Sequence, residues 1–589
     1  MRTTWRPCSA PPPRARPATH TATWTTSPRS AIRPPACRSA PPRRTSKRQS
    51  PARRTSTPTC TRAWPPRRAT KASTRSRTGS RRWPRPSART PTASRRRWTA
   101  SADPAGAPPG ALPSVRRGAR SRPRCTRGQA SPPGRSGHSS GVMPMSEFRE
   151  GNLEKAKRLP HDWKNPEFWD EQALEKELER VYDVCHTCRR CVSLCESFPT
   201  LFDLVDESES MEVDGVAKED YWKVVDQCFM CDICAETKCP YLPPHEFNLD
   251  FPHLMLRAKA VKFAKGESKW RDRLITSTDS VFNVLRQPGI AQAANAANRS
   301  EKLRGLVDSV AGIHPDAPLP KFHSNTFKDR QPGVTGASLE PVATERTKGR
   351  VALFTTCFGN HNEPELGEDI AAVLNHNGIP MKVVQDEKCC GMPKFELGDV
   401  KAVEKLKEHN IPILKALVDE GWDLLSPIPS CVLMFKQELP LMFPEDEEVA
   451  AVAAAFFDPF EYLLLRQKDG LLKTDFERPL GKVAYHAACH QRVQNIGQKT
   501  KELLSLVPGT EITLIERCSG HDGTYAYKTE THDHAVKIAR PVVNRVKKVE
   551  PDHFGSDCPM AGRMIQHGLK DELGESEHPI RMLRVAYGL

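Results

Sequence analysis

Fifteen of the nineteen cysteines in this chain fall at spacings that can do chemistry. "CHTCRRCVSLC" carries Cys185, Cys188, Cys191 and Cys195, and "CFMCDICAETKCP" carries Cys228, Cys231, Cys234 and Cys239. Seven more follow: Cys357, Cys389, Cys390, Cys431, Cys489, Cys518 and Cys558. A disulfide framework is a poor reading in a long chain with no export signal. It is poorest at the adjacent pair Cys389–Cys390. Neighbouring Cα atoms lie about 3.8 Å apart, below the roughly 4.4 Å that an unstrained disulfide needs. In an extended segment successive side chains point to opposite faces. The remaining reading is that both sulfurs hold something between them. Zinc sites usually pair one C-x2-C with a second pair elsewhere. A C-x2-C-x2-C run instead wraps one corner of an iron–sulfur cube.

In the bacterial two-cluster ferredoxin arrangement each motif lends its fourth cysteine to the other cluster. On that pattern Cys185, Cys188, Cys191 and Cys239 hold one 4Fe–4S cluster, and Cys228, Cys231, Cys234 and Cys195 hold a second. The second run has four residues rather than three before its last cysteine, and Glu196 rather than proline follows Cys195. The segment "DEQALEKELERVYDVC" spaces Leu174, Leu178, Val181 and Val184 as one face of a helix leading into Cys185. With about 32 residues between the motifs, a helical two-cluster module is expected rather than a compact β-rich one.

The last seven cysteines repeat. Cys357, Cys389–Cys390 and Cys431 recur as Cys489, Cys518 and Cys558, at offsets of 132, 128 (Cys390 to Cys518) and 127 residues, and "KCCGMPKFELGD" aligns with "RCSGHDGTYAYK". A near-constant period with matching residues signals internal duplication. Five short apolar, β-rich runs end at a cysteine: "GRVALFTTC", "MKVVQDEKCC", "WDLLSPIPSC", "GKVAYHAAC" and "TEITLIERC"; "DHFGSDC" is a weaker sixth. Helical stretches such as "LGEDIAAVLNHNG" and "KAVEKLKEHNIPILKALVDEG" intervene, each closing at a glycine suited to a C-cap. This alternation predicts α/β layers with parallel sheets, whose ligands gather at the carboxyl ends of strands. Each repeat then delivers cysteines from three strand ends to one edge, with Gly391 or Gly520 allowing close backbone approach.

Residues 1–142 are of another kind. They hold 33 Lys+Arg against Asp103 alone, and 24 of the 53 prolines. The remaining 447 residues hold 56 Lys+Arg and 70 Asp+Glu, so the net charge of +18 resides in the first quarter. With no apolar periodicity this segment cannot bury a core. It reads as a disordered basic arm, a poorly matching transit peptide, or translated upstream sequence preceding a start at Met143 or Met145. Its Cys8, Cys37, Cys60 and Cys125 sit at irregular gaps and receive no role. No run reaches the ~18 apolar residues of a membrane span, so a cytoplasmic protein is expected, at most peripheral to the inner face of the membrane.

The expected organisation is multidomain: 1–142 low-complexity, 143–262 an α-helical two-cluster ferredoxin, 263–347 a helical linker, and 348–478 and 479–589 two α/β repeats. A cysteine, about thirty residues later Cys-Cys-Gly, and about forty later another cysteine: this pattern resembles the CCG domain of heterodisulfide reductase subunits. A helical ferredoxin followed by two such repeats resembles the iron–sulfur subunits of anaerobic glycerol-3-phosphate dehydrogenase, D-type heterodisulfide reductase and glycolate oxidase. "CPYLPPHEFNLDFPHLMLRAKA" and "CHQRVQNIG" fit the glycerol-phosphate type best. The resemblance implies electron transfer through the two 4Fe–4S clusters, with one or two further iron–sulfur clusters in the repeats facing a disulfide, a quinone or another acceptor. "SCVLM" and "DCPMAG" each offer one cysteine where the reductase pattern has C-x-x-C, and Ser519 replaces one of the paired cysteines. Repeat one therefore has four thiolates and repeat two three. His486, His490 and His521 are either the source of a nitrogen ligand there or ordinary polar loop residues.

No dinucleotide fingerprint and no P-loop occurs. Hydride chemistry then belongs to a partner, expected to be a flavoprotein dehydrogenase or other redox subunit, with a quinone or a membrane-anchor subunit on the acceptor side and no nucleic acid. The competing readings are an electron donor to a diiron peroxide-defence partner and a cluster-bearing redox sensor.

Overall fold

The structure, a computed structural model, describes residues 157–331, 333–570 and 572–589. The expectations for 1–142, and for the start of the helical module, lie outside these residues.

The first described unit is helical. Asp170 caps α1 (Glu171–Cys188), its carboxylate accepting from Ala173 N–H at 2.7 Å. This supplies one of the acceptors that a helix N-terminus lacks. Leu174, Leu178 and Val181 are buried as the periodicity predicts, but the fourth large side chain in the core is Tyr182 and Val184 is half-exposed. The stripe drifts because 3.6 residues per turn carries the core face onto position 182, where the aromatic ring packs edge-on against Tyr221. Four more helices complete the unit: α2 (Ser197–Asp206), α3 (Tyr221–Asp226), α4 (Ile233–Lys238) and α5 (Phe251–Ala264). Helix α5 is buried on most sides and packs on α1, α3 and α4.

Residues 263–347 form short helices, including α6 (Trp270–Ile275) and α7 (Thr278–Leu285), and then an extended proline-bearing stretch. Arg271 on α6 donates to both carboxylate oxygens of Glu530, at 3.0 and 2.7 Å. Asp279 on α7 accepts from Cys389 N–H at 3.0 Å. The segment therefore reaches both repeats.

The described residues hold eight strands: β1 (Val334–Thr335), which lies in that extended stretch, then β2 (Val351–Leu353), β3 (Met381–Val383), β4 (Asp423–Leu425), β5 (Phe456–Phe457), β6 (Gly481–His486), β7 (Thr510–Ile515) and β8 (His553–Ser556). One sheet has the order β1-β3-β2-β4-β5, parallel except for the edge pair β1–β3; the other has the order β7-β6-β8 and is fully parallel. The duplication is visible in three dimensions, since β3-β2-β4 and β7-β6-β8 have the same order and direction. All six anticipated runs are strands, and the anticipated helices are Pro364–His376 and Val400–Asp419. Gly378 and Gly421 follow these helices at φ +71° and +86°, the left-handed backbone of a helix stop. Strands β2, β3 and β4 are buried almost throughout, as expected where helices cover both faces. Among the described residues no helix is long and apolar enough to cross a membrane.

Candidate iron–sulfur centres and the cavity between the repeats

Cys185 and Cys188 sit on the last turns of α1, and Arg189 closes that helix with left-handed backbone (φ +51°), which turns the chain back. Cys191 follows in the loop, and Cys239 caps α4. Cys239, Cys191 and Cys188 are the charge neighbours of Cys185. The four line one hollow, ringed by Phe198, Phe202 and Tyr241. Burial pushes the Cys191 thiol up to about 12 and the Cys239 thiol up to about 11. Four sulfurs that converge without forming disulfides are suited to a cationic inorganic core that takes them all as thiolates.

Cys195 lies just before α2; Cys228 and Cys231 lie between α3 and α4, and Cys234 lies on α4. Met230 and Asp232, flanking Cys231, both take positive φ (55° and 59°), so this loop curls tightly around its own sulfurs. Cys195 has Cys228 as a charge neighbour, Cys231 has Cys195, and Cys234 has Cys228 and Cys195. The fourth cysteine of each run thus stands with the three of the other. Cys234 also adjoins Cys191, so the two sets are contiguous.

In repeat one, Cys357 opens a helix after β2, the Cys389–Cys390 pair follows β3, and Cys431 lies on the helix after β4. Parallel strands bring all three ends to one edge. Cys357 and Cys390 are the strongest influences on the Cys389 thiol, and Cys389 and Cys431 on that of Cys390. The Cys357 and Cys390 thiols first, then the Thr278 side chain and Gly391 N–H, hold the Cys389 thiol well below its usual range against the opposing effect of burial. Asn410 braces the turn, accepting from Lys388 N–H at 2.9 Å and donating to Cys389 O at 3.0 Å. The two expected glycines work differently. At Gly520 (φ +75°) a Cβ would stand 2.1 Å from Ala535 O, so the close approach is real. At Gly391 (φ +103°) the nearest atom would be 3.5 Å away, in ordinary contact. There the left-handed backbone is the requirement, not the space.

In repeat two, Cys489, Cys518 and Cys558 follow β6, β7 and β8. Cys518 Sγ accepts from Gly520 N–H at 3.3 Å and donates to the Asp522 carboxylate at 3.4 Å. Asp522, which the cysteine spacing does not single out, is a charge neighbour of Cys489, Cys518 and Cys231. It places a carboxylate beside the set that lacks a fourth cysteine. The only signal in the sequence is an acidic residue four positions beyond Cys518. Of the three histidines, His486 engages Ser556 and Arg517 O, and His490 engages Ser430 and Met230 O. Both are structural residues with their ring nitrogens committed. His521 has both ring nitrogens buried without a hydrogen-bond partner, and burial lowers it to about 4.

A cavity of about 670 Å³ lies between the repeats, lined by Cys357, Cys390 and Cys431 on one side, Cys489, Cys518 and Cys558 on the other, and Cys231 of the helical unit. Leu274, Val281 and Val284 contribute an apolar wall. Leu274 and Val284 are also 53% and 57% exposed, which puts the mouth of the cavity at α6 and α7. His521 and Glu396 are among its polar groups. Burial pushes Glu396 up to about 8, against the opposing effect of Lys259.

Two parallel three-strand cores with cysteines at their carboxyl ends define a cysteine-rich α/β class, and residues 351–436 and 483–566 match the CCG family, described as a cysteine-rich domain. The chain carries two CCG domains and is homologous to the C subunit of anaerobic glycerol-3-phosphate dehydrogenase. It is 28% identical to that subunit of Escherichia coli (strain K12) over 340 residues, 56% of this chain and 81% of the relative. It is also 26% identical to the B subunit of the fumarate reductase (CoM/CoB) of Methanothermobacter marburgensis over 247 residues, 40% of this chain and 46% of that one. Lactate utilization protein A of Geobacillus sp. (strain WCH70) is 26% identical over 243 residues, 40% of this chain and 97% of that protein. Two of these relatives are named as subunits of a dehydrogenase and a reductase, which makes this chain a relative of oxidoreductase components.

Proposed function

We propose that the chain is the iron–sulfur electron-transfer subunit of a multi-subunit oxidoreductase, passing electrons between a flavoprotein dehydrogenase and an acceptor held between the two CCG domains. The observation that carries this reading is the continuity of the cysteine sets. Cys191 and Cys234 are charge neighbours across the first two sets, Cys231 and Cys489 across the second set and repeat two, and Cys558 and Cys431 across the two repeats, the last four lining one cavity. The ligands are Cys185, Cys188, Cys191 and Cys239 for one 4Fe–4S cluster and Cys228, Cys231, Cys234 and Cys195 for the other. The cysteines of each repeat, joined in repeat two by Asp522, hold the remaining ones. When bound, such clusters supply one-electron stations. The domains follow the divisions 143–262, 263–347, 348–478 and 479–589.

The apolar cavity, with its apolar rim at Leu274 and Val284, favours a quinone ring over a charged disulfide as the acceptor. Two-electron reduction of a quinone consumes two protons. Glu396, carrying a proton at neutral pH because burial raises it to about 8, donates one of them, and bulk water supplies the other and reprotonates Glu396. The test is anaerobic re-oxidation of the dithionite-reduced full chain by a soluble naphthoquinone, followed by electron paramagnetic resonance. Rapid re-oxidation that is slowed in a Val281→Trp variant, which fills the cavity, is expected. Equal rates in both proteins, or re-oxidation by an organic disulfide but not by the quinone, overturn the quinone assignment.

A further inference from the structure

Away from the cysteines, the joint between the helical unit and the first repeat buries a group of charges that electron transfer does not use. His161 lies in the segment before α1, His253 on α5, and Glu438 at the end of a π-helical turn (Met434–Glu438) beyond Cys431. Their side chains are 2%, 10% and 1% exposed. One oxygen of Glu438 stands 3.3 Å from His161 Nε2 and 3.3 Å from His253 Nε2. The imidazole rings converge, with centroids 4.0 Å apart.

Two features set this group apart from a plain ion-pair network. Charge-assisted N–H···O bonds close to about 2.7–2.9 Å, yet both imidazole contacts to Glu438 stay at 3.3 Å, and His253 Nε2 is buried with no hydrogen-bond partner. A separation of about 3.3–3.4 Å is instead the edge of a tetrahedron around an ion bonded at about 2.0–2.1 Å. Behind the pair, the other ring nitrogen of His253 meets Asp250 at 3.1 Å. This is the carboxylate–histidine support that fixes a metal-binding imidazole. Charge agrees. Asp250 and Asp232 lie at 2.6 and 3.2 Å from Arg158, and Glu236 at 3.9 Å, so three carboxyl groups face one guanidinium and Glu438 is left to the two imidazoles.

We propose that His161 Nε2, His253 Nε2 and one carboxylate oxygen of Glu438 form a binding site for a divalent ion of the zinc class, with water in the fourth position. Two imidazoles and a carboxylate suit zinc, which accepts N and O donors at tetrahedral angles. Since two ligands come from the helical unit and one from repeat one, the ion fastens the two together. It is separate from every cysteine set.

The test is metal analysis and zinc K-edge absorption on the anaerobically purified full chain, equilibrated with stoichiometric Zn²⁺ and desalted. About one zinc per chain with a shell of N and O neighbours only, near 2.0 Å, is expected. The His161→Gln variant should lose that zinc while iron and sulfide stay unchanged. A shell at about 2.3 Å from sulfur would place the zinc at cysteines and overturn the site. So would a chain that retains no zinc, or a His161→Gln protein that binds it as before. Because the coordination shell is read on the unaltered chain, the outcome does not depend on the variant folding.

Discussion

Cys231 stands where the helical unit meets repeat two, with Asp522, Cys489, Cys518 and Cys195 as its charge neighbours. Cys231→Ser should therefore cost one cluster's share of iron and break the route to the CCG domains while those domains keep theirs. Iron analysis with reductive titration reads both; unchanged iron and an intact route refute the ligand assignment. Glu396 makes a prediction of another kind. Its carboxyl shifts from 4.5 to about 8 on folding, chiefly through burial. Between those values the folded chain holds a proton that the unfolded chain has lost. Stability attributable to this group is thus insensitive to pH below 4.5 and falls as pH rises towards 8, by at most about 1.4 kcal/mol per pH unit. Glu396→Gln should match the wild type in thermal unfolding near pH 5 and exceed it by on the order of 4 kcal/mol near pH 8.5; an equal difference at both pH values contradicts the assignment. The cysteines were legible in the sequence because ligand spacing is local and thiols at C-x2-C have few other uses. Asp522 was not, since an aspartate in a glycine-rich turn looks like any other turn residue. His161, His253 and Glu438 were illegible because only the packing of distant segments makes them neighbours.

At the level of elements, strands of three residues carry the first repeat, and the turns after them decide where the sulfurs point. Gly520 and Gly391 occupy equivalent turns under different constraints, which gives a paired prediction. Alanine at either position meets the cost of left-handed backbone, about 1–2 kcal/mol. Only at Gly520 does it also collide with a backbone atom, Ala535 O at 2.1 Å. Gly520→Ala should lower the unfolding midpoint clearly more than Gly391→Ala; the reverse order would show that the helix beginning at His532 gives way easily. Element types were readable from the sequence because alternation and 3.6-residue periods reflect burial directly. Val400–Asp419 runs as one helix through Pro412, as its apolar spacing indicated, because packing of Val403, Ile411, Leu414 and Leu417 outweighs one lost hydrogen bond. The π-helical turn that carries Glu438 left no trace in the pattern, since one extra residue in a turn shifts a stripe without erasing it.

For the whole molecule the decisive quantity is the number of clusters that the contiguous cysteine sets hold together. Repeat one brings four neighbouring thiols to one sheet edge. Repeat two brings three cysteines and the Asp522 carboxylate, 3.4 Å from Cys518 Sγ. With the two sets of the helical unit this makes four candidate centres, so iron and acid-labile sulfide on the anaerobically purified full chain should each reach about sixteen per chain if every centre is a four-iron cluster. Asp522→Ala should lower both by one cluster's worth, whereas Ser519→Ala should leave them unchanged, because no thiol of the set relies on the Ser519 hydroxyl. About eight of each in the wild type would mean that only the helical unit binds clusters. The succession would then stop at Cys231, and the cavity between the CCG domains would have no electron source within this chain. A value near sixteen joins the cavity to the helical unit by an unbroken series of centres, which is the condition for a partner docked at one end to reduce an acceptor at the other.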